Sequence, residues 1–185
     1  LFIAIDIASE IRDKLAQVQK ILNRKGIKPV EEENIHFTLK FLGEVDDRRV
    51  EPIKETLKEI KTTPFKMHVK GVGFFPSPKN IRVVWAGVEE GNDEFVKIAE
   101  DIDYRMKKFG FGREKNFVAH ATIARVKKIT AEDRKKIVHE LESYLKKDFG
   151  WMRVTDFRLK KSVLTPRGPV YSDIGVFELE NRDEN

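Results

Sequence analysis

"NIHFTLKFLG" (34–43) places His36, Thr38 and Lys40 at every second position, with Phe37, Leu39 and Phe41 between them. Alternation of this kind reads as a half-buried β-strand, because successive side chains point to opposite faces. The Phe–Leu–Phe face belongs in a core, and the His–Thr–Lys face looks onto solvent, a cleft or another lobe. The pattern returns as "AHATIARV" (119–126), where His120 and Thr122 share a face and Ala121 and Ile123 lie opposite. With 4 histidines among 185 residues, and threonine no commoner than average, chance supplies only about 0.2 His-x-Thr occurrences. Either motif alone reads as an ordinary strand histidine beside a threonine that serves β-propensity. Two of them, each followed by an aliphatic residue, point to a pair that works together.

The surrounding text places both strands in similar settings. "LFIAIDIA" (1–8) reads as a buried opening strand; Ser9 then caps a helix whose Ile11, Leu15, Val18 and Leu22 share one face, with Gly26 at its stop. A second helix begins near Asp47 with Val50, Ile53, Leu57 and Ile60 inward. "FKMHVKGVGFF" (65–75) and "IRVVWAGV" (81–88) form two strands across the turn "PSPKN". Asn92 caps a third helix through Met106, and Thr130 with Asp133 makes a capping box for a fourth. From Gly150 to Leu179 the chain reads as strands broken by "TPRGP" (165–169). Strand one enters helix one without a Gly-rich loop, which argues against a dinucleotide-binding fold. Each His-x-Thr strand leads into an amphipathic helix about eleven residues after its histidine, as expected of two related lobes in an α+β fold.

Composition narrows the setting. No cysteine is present, which excludes disulfides and thiolate-bound zinc and favours a reducing cytoplasm. No signal peptide and no apolar run long enough for a membrane span are visible. Charged residues make up 36% of the chain, a mixture common in proteins of hyperthermophiles. The net charge of +5 favours anionic partners, and the doublets Lys127–Lys128, Lys146–Lys147 and Lys160–Lys161, with Arg167, are candidates to guide a nucleic acid or else solvated faces.

Two imidazoles and two hydroxyls in one cleft suit phosphoester chemistry without a metal. A neutral histidine takes a proton from an attacking water or hydroxyl, a protonated one donates to the departing oxygen, and both forms exist near neutral pH. The threonines donate to nonbridging phosphate oxygens. Metal ligation by the histidines is the competing use, but no carboxylate or third histidine sits at a ligand spacing. A protein that grips RNA or a nucleotide without turnover is the alternative from another class. Lys40 shares the His36 face and is a candidate phosphate contact or a solvated lysine. Alternation sets Arg125 opposite His120, where either a bulge or a surface salt bridge accounts for it. Phe41, Phe117 and Tyr171 read as core or as base-stacking positions, and His68 and His139 as surface or half-buried residues without a role.

"HFTL" and "HATI" resemble the paired motifs of the 2H phosphoesterase superfamily, closest to its RNA 2′,3′-cyclic phosphodiesterases, also called 2′-5′ RNA ligases. "LFIAIDI", "IHFTLKFLGEV", "GVGFFPSPKNIRVVWAGV" and "GPVYSDIGVFEL" extend the resemblance over nearly the whole chain. It implies one domain over 1–185 made of two intimate lobes, with two antiparallel sheets facing a central cleft about a pseudo-twofold axis. It implies His36 and His120 as the catalytic pair, with His120 leaning to base and His36 to acid, and Thr38 and Thr122 on the phosphate. Arg125, a further candidate phosphate contact, stands where this branch often has arginine. The implied reaction opens a terminal 2′,3′-cyclic phosphate to a 2′-phosphate, with 2′-5′ ligation as the related transfer. RNA ends or nucleotides bearing phosphate are the implied partners; no cofactor, no metal and no protein partner are expected, and the chain is expected to be monomeric.

Overall fold

The strand and helix periodicities are realised in a computed structural model that describes residues 1–180; the last residues of the domain expected over 1–185 lie outside the described ones. In chain order the elements are β1 (Phe2–Asp6), α1 (Ser9–Leu22), β2 (Ile27–Pro29), β3 (His36–Phe41), α2 (Asp47–Lys58), β4 (Phe65–Ser77) and β5 (Asn80–Val88). There follow α3 (Asn92–Met106), β6 (His120–Val126), α4 (Ala131–Glu140), β7 (Asp148–Val154), β8 (Asp156–Thr165) and β9 (Gly168–Glu178).

All strand pairs are antiparallel, in the order β7-β4-β5-β6-β3-β1-β8-β9 with β2 beside β6. The two expected sheets are halves of one nine-stranded sheet, and the ladder between β3 and β6 narrows to the single pair Phe37 and Ala121. The halves repeat each other in register. His36, Thr38, Lys40 and Phe41 face Asp6, Ala4, Ile3 and Phe2 of β1, with a bulge between Ala4 and Ile3. His120, Thr122, Ala124 and Arg125 face Gly87, Trp85, Val84 and Val83 of β5, with a bulge at the same place.

Helices cross between the halves. α1 follows β1 of one half but packs on β6 and β7 of the other, and α3 follows β5 but packs beneath β3 and against α2. The i, i+3, i+4 stripes explain the adhesion: Ile11, Leu15, Val18 and Leu22 of α1 are buried, as are Phe95, Ile98, Ala99, Ile102 and Met106 of α3. Each large apolar side chain among them contributes about 1.5–3 kcal/mol on burial. Phe95 meets Phe37 edge-on across the seam, 6.4 Å between ring centroids.

Thr130 caps α4 as read: its Oγ1 accepts from Asp133 N–H at 3.0 Å, and the reciprocal contact is the Thr130 hydroxyl donating to Asp133 Oδ2 at 2.8 Å. Two other caps differ. Ala8 precedes α1 in extended backbone and leaves Ser9 inside the helix. Gly91, at φ 86°, takes the position before α3, and its left-handed backbone suits glycine. Asn92 is thereby released, and its Oδ1 accepts from Ala119 N–H at 3.3 Å, fastening the entry to β6. The "GVG" at 71–73 has a packing reason, since a Cβ on Gly73 would lie 2.1 Å from the Trp85 ring. His68 is buried rather than at the surface or half-buried, stacked on Trp151 at 4.5 Å, whereas His139 is exposed.

Candidate active site

Both His-x-Thr strands turn their polar face to one cavity of about 370 Å³. His36, Thr38, His120 and Thr122 all line it, while Phe37, Leu39, Ala121 and Ile123 are buried behind them. The imidazoles are oriented alike. His36 Nδ1 lies 2.7 Å from the Asn34 carbonyl and His120 Nδ1 lies 2.8 Å from the Val118 carbonyl, in each case the residue two before the histidine. A carbonyl only accepts, so each Nδ1 carries the hydrogen and donates it. That fixes one tautomer in both rings and leaves each Nε2 to gain or lose a proton. At His36 the Nε2 is 2.8 Å from Thr38 Oγ1.

The surroundings differ. His36 lies 4.9 Å from the Phe2 ring and 5.6 Å from the Tyr171 ring, centroid to centroid. Burial pushes its pKa below the ordinary 6.5; the Asn34 carbonyl and Asp6 pull upward, and Lys160 and Arg125 push further down. His120 meets Phe75 edge-on at 5.0 Å and Trp85 at 6.4 Å. Lys160 is not a free cation for nucleic acid, because its Nζ is held at 2.8 Å by Asp6 and 2.7 Å by Asp173. The cations lining the cavity are Lys28, Lys115 and Arg125, none from the lysine doublets.

The paired bulges move three side chains from where alternation puts them. On β3 the bulge at Leu39 turns Lys40 to the core and Phe41 to the cavity. Lys40 is therefore corrected as a phosphate contact: it is 1% exposed, and its Nζ donates to Asp103 Oδ1 at 2.7 Å and to the Gly112 carbonyl at 2.9 Å. Phe41 leaves the core face, 62% exposed at the cavity. On β6 the same bulge brings Arg125 round to the Thr122 side, where it lines the cavity. Phe117 and Tyr171 line it too, so all three candidate stacking aromatics stand at the site.

Sequence reasoning missed Asn34. Its carbonyl orients His36, and its buried amide donates to the Pro169 carbonyl at 2.8 Å, holding the β8–β9 hairpin beside the cavity. An Asn two residues before the histidine was the available signal, but the long-range partner was not readable. Phe2 and Phe75, which pack on the histidines, carry no mark in the sequence that sets them apart from other strand phenylalanines. Among the described residues no group of three or more His, Asp or Glu side chains is arranged to hold a metal ion, and no helix is long and apolar enough to cross a membrane.

One antiparallel sheet that turns two equivalent His-x-Thr strands to a shared cleft defines a two-histidine phosphoesterase architecture. The chain belongs to the LigT like Phosphoesterase family, whose pattern matches residues 5–85 and 87–171. It is 45% identical over 179 residues to an Archaeoglobus fulgidus protein named RNA 2′,3′-cyclic phosphodiesterase, covering 96% of this chain and 99% of that one. A Methanocaldococcus jannaschii protein of the same name is 42% identical, covering 94% and 97%. A crystal structure of a Thermus thermophilus protein superposes with a TM-score of 0.80 at 28% identity over 98% of both chains. E. coli LigT complexed with 3′-AMP shares the fold, with a TM-score of 0.79 at 22% identity over 97% of each.

Proposed function

We propose that the protein hydrolyses RNA 2′,3′-cyclic phosphate ends to 2′-phosphates by paired-histidine acid–base catalysis. The observation that carries this reading is the matching pair of Nδ1–carbonyl contacts, which leaves the Nε2 of a histidine from each half of the sheet for proton transfer at one cavity. Water attacks phosphorus as its proton passes to one Nε2; the bond from phosphorus to the 3′ oxygen breaks, and the other histidine protonates that oxygen. We assign the base to His120 and the acid to His36. Enclosure by Phe2 and Tyr171 suits His36 to the leaving ribose oxygen, and a ring whose pKa burial lowers gives up its proton readily. The incoming phosphate charge favours the protonated form that the acid needs.

Thr38 and Thr122 donate to the nonbridging oxygens, and Arg125 adds a fixed positive charge where negative charge accumulates. Phe41 and Tyr171 offer ring faces for a nucleobase. The names of the archaeal relatives and the 3′-AMP held by E. coli LigT support a nucleotide phosphate in this cavity. The same pair supports 2′-5′ ligation when an RNA 5′-hydroxyl replaces water.

Incubation with an oligonucleotide ending in 2′,3′-cyclic phosphate tests the reading. A 2′-phosphate product, undiminished by EDTA, is expected. A 3′-phosphate product, tight binding without turnover, or activity lost to EDTA and restored by a divalent metal would overturn it.

A further inference from the structure

Lys40 and Asp103 form a buried cation–carboxylate pair that the acid–base mechanism does not use. Lys40 stands on β3, one residue beyond the bulge that follows Thr38, and Asp103 stands on α3; they are 1% and 3% exposed. Burial pushes the Asp103 carboxyl up, but the Lys40 ammonium and the Glu114 N–H outweigh it and hold it below its ordinary value.

The pair reaches across the seam. α3 is spliced between β5 and β6, so it belongs by sequence to the His120 half, yet it packs beneath β3 of the His36 half. The two strands themselves share one ladder pair. A buried ion pair between β3 and α3 therefore fixes how one half sits against the other. It also fixes the lip that leads into β6: Lys40 Nζ donates to the Gly112 carbonyl at 2.9 Å, and Asp103 Oδ1 accepts from Glu114 N–H at 3.0 Å. From there the lip runs along the cavity to Val118, whose carbonyl orients His120.

We propose that Lys40 is a positioning residue that, through Asp103 and the 112–118 lip, sets the placement of His120 relative to His36. The inference rests on the phosphodiesterase reading for its kinetic consequence but not for its geometric one. Removing Lys40 alone strands a buried carboxylate, so the decisive variant is the double replacement Lys40→Met with Asp103→Leu, which fills the site with apolar side chains.

The double variant is expected to fold with a Tm near that of wild type, yet its kcat on a 2′,3′-cyclic oligonucleotide falls by about 100-fold, as for a misplaced catalytic group, while KM stays nearly constant. Ring-nitrogen NMR gives a readout that needs no turnover. His120 loses its fixed Nδ1–H tautomer in the double variant and His36 keeps its own. Recovery of stability together with full kcat and an unchanged His120 tautomer would show a merely structural pair and overturn the proposal. If the double variant does not fold, Lys40→Arg decides: in a site where Lys40 is 1% exposed, the larger planar guanidinium displaces Asp103 and the Gly112 carbonyl from their places around Nζ, so wild-type kcat and an unchanged tautomer there overturn it as well. Wild type without turnover would defeat the phosphodiesterase reading and leave the NMR comparison standing.

Discussion

β3 and β6 share a register, a bulge position and a histidine tautomer, yet they build unlike walls. On β3 the histidine faces Asp6, packs between Phe2 and Tyr171, and holds Thr38 against its Nε2. On β6 it faces Gly87, rests against Phe75, and among the described residues makes no bond to Thr122. Five residues after each histidine the cleft receives Phe41 from one wall and Arg125 from the other. The repeated backbone sets where the groups stand, and the unlike neighbours are the ground for the proposed division into acid and base.

The comparison breaks most sharply at the histidines. His36→Ala and His120→Ala are each expected to lower kcat by about 10²–10⁴-fold, with unfolding transitions close to wild type. The double variant is expected to lose little more than either single one, as for an acid and a base that act as a unit. A variant that retains near-wild-type kcat would remove its histidine from the mechanism.

The next contrast separates the two residues beyond the bulges. Arg125→Ala is expected to weaken binding of inorganic phosphate and of substrate by about 10–100-fold, the worth of a charge-assisted hydrogen bond. Phe41→Ala costs about tenfold with an oligonucleotide, the worth of one stacked base, and leaves inorganic phosphate binding unchanged. Equal effects on both ligands would erase the assigned difference.

Asn34→Ala probes the bracing of the β3 wall alone. It leaves the Pro169 carbonyl without its donor and is expected to cost about 1 kcal/mol in thermal unfolding, the usual worth of a hydrogen bond. The His36 Nδ1 bond, made to the Asn34 backbone, survives. An undisturbed β8–β9 hairpin in the variant, followed by amide exchange, would show that Asn34 does not hold it.

The smallest expected effect is a titration. His36 titrates below the ordinary imidazole value, which NMR reads directly, and inorganic phosphate moves it upward. Its neutral form is favoured in the folded state, so its contribution to stability is complete above about pH 6.5. That contribution declines as pH falls toward the lowered pKa, and below it the decline stops. Wild type should therefore lose stability on acidification more steeply than His36→Gln. A His36 titration at or above the ordinary value would contradict its enclosure.

Much of this was legible in the alternation and helical stripes. His36, Thr38, His120 and Thr122 followed from period two, and Ile11 to Leu22 or Phe95 to Met106 followed from period 3.6. Lys40, Phe41 and Arg125 were not readable by the same rule. A bulge adds one residue without any mark in composition, and it inverts every facing beyond it. The Arg125 expectation came nearest, because its usefulness at the cleft already required such a bulge. Asn34 and Asp103 escaped for another reason: their partners, Pro169 and Lys40, lie far away in sequence, and only the fold brings them together.

The exchanged helices carry a consequence for how the molecule can be divided. A cut in the link between α2 and β4 would leave an N-terminal fragment in which α1 keeps only β2 of the strands it covers and β3 has lost its α3 backing. The C-terminal fragment would keep α3 with its apolar stripe bare. Neither piece is expected to fold alone, which separate expression of the two fragments would check. Each half lends a helix to the other, so the two halves are expected to unfold in one transition.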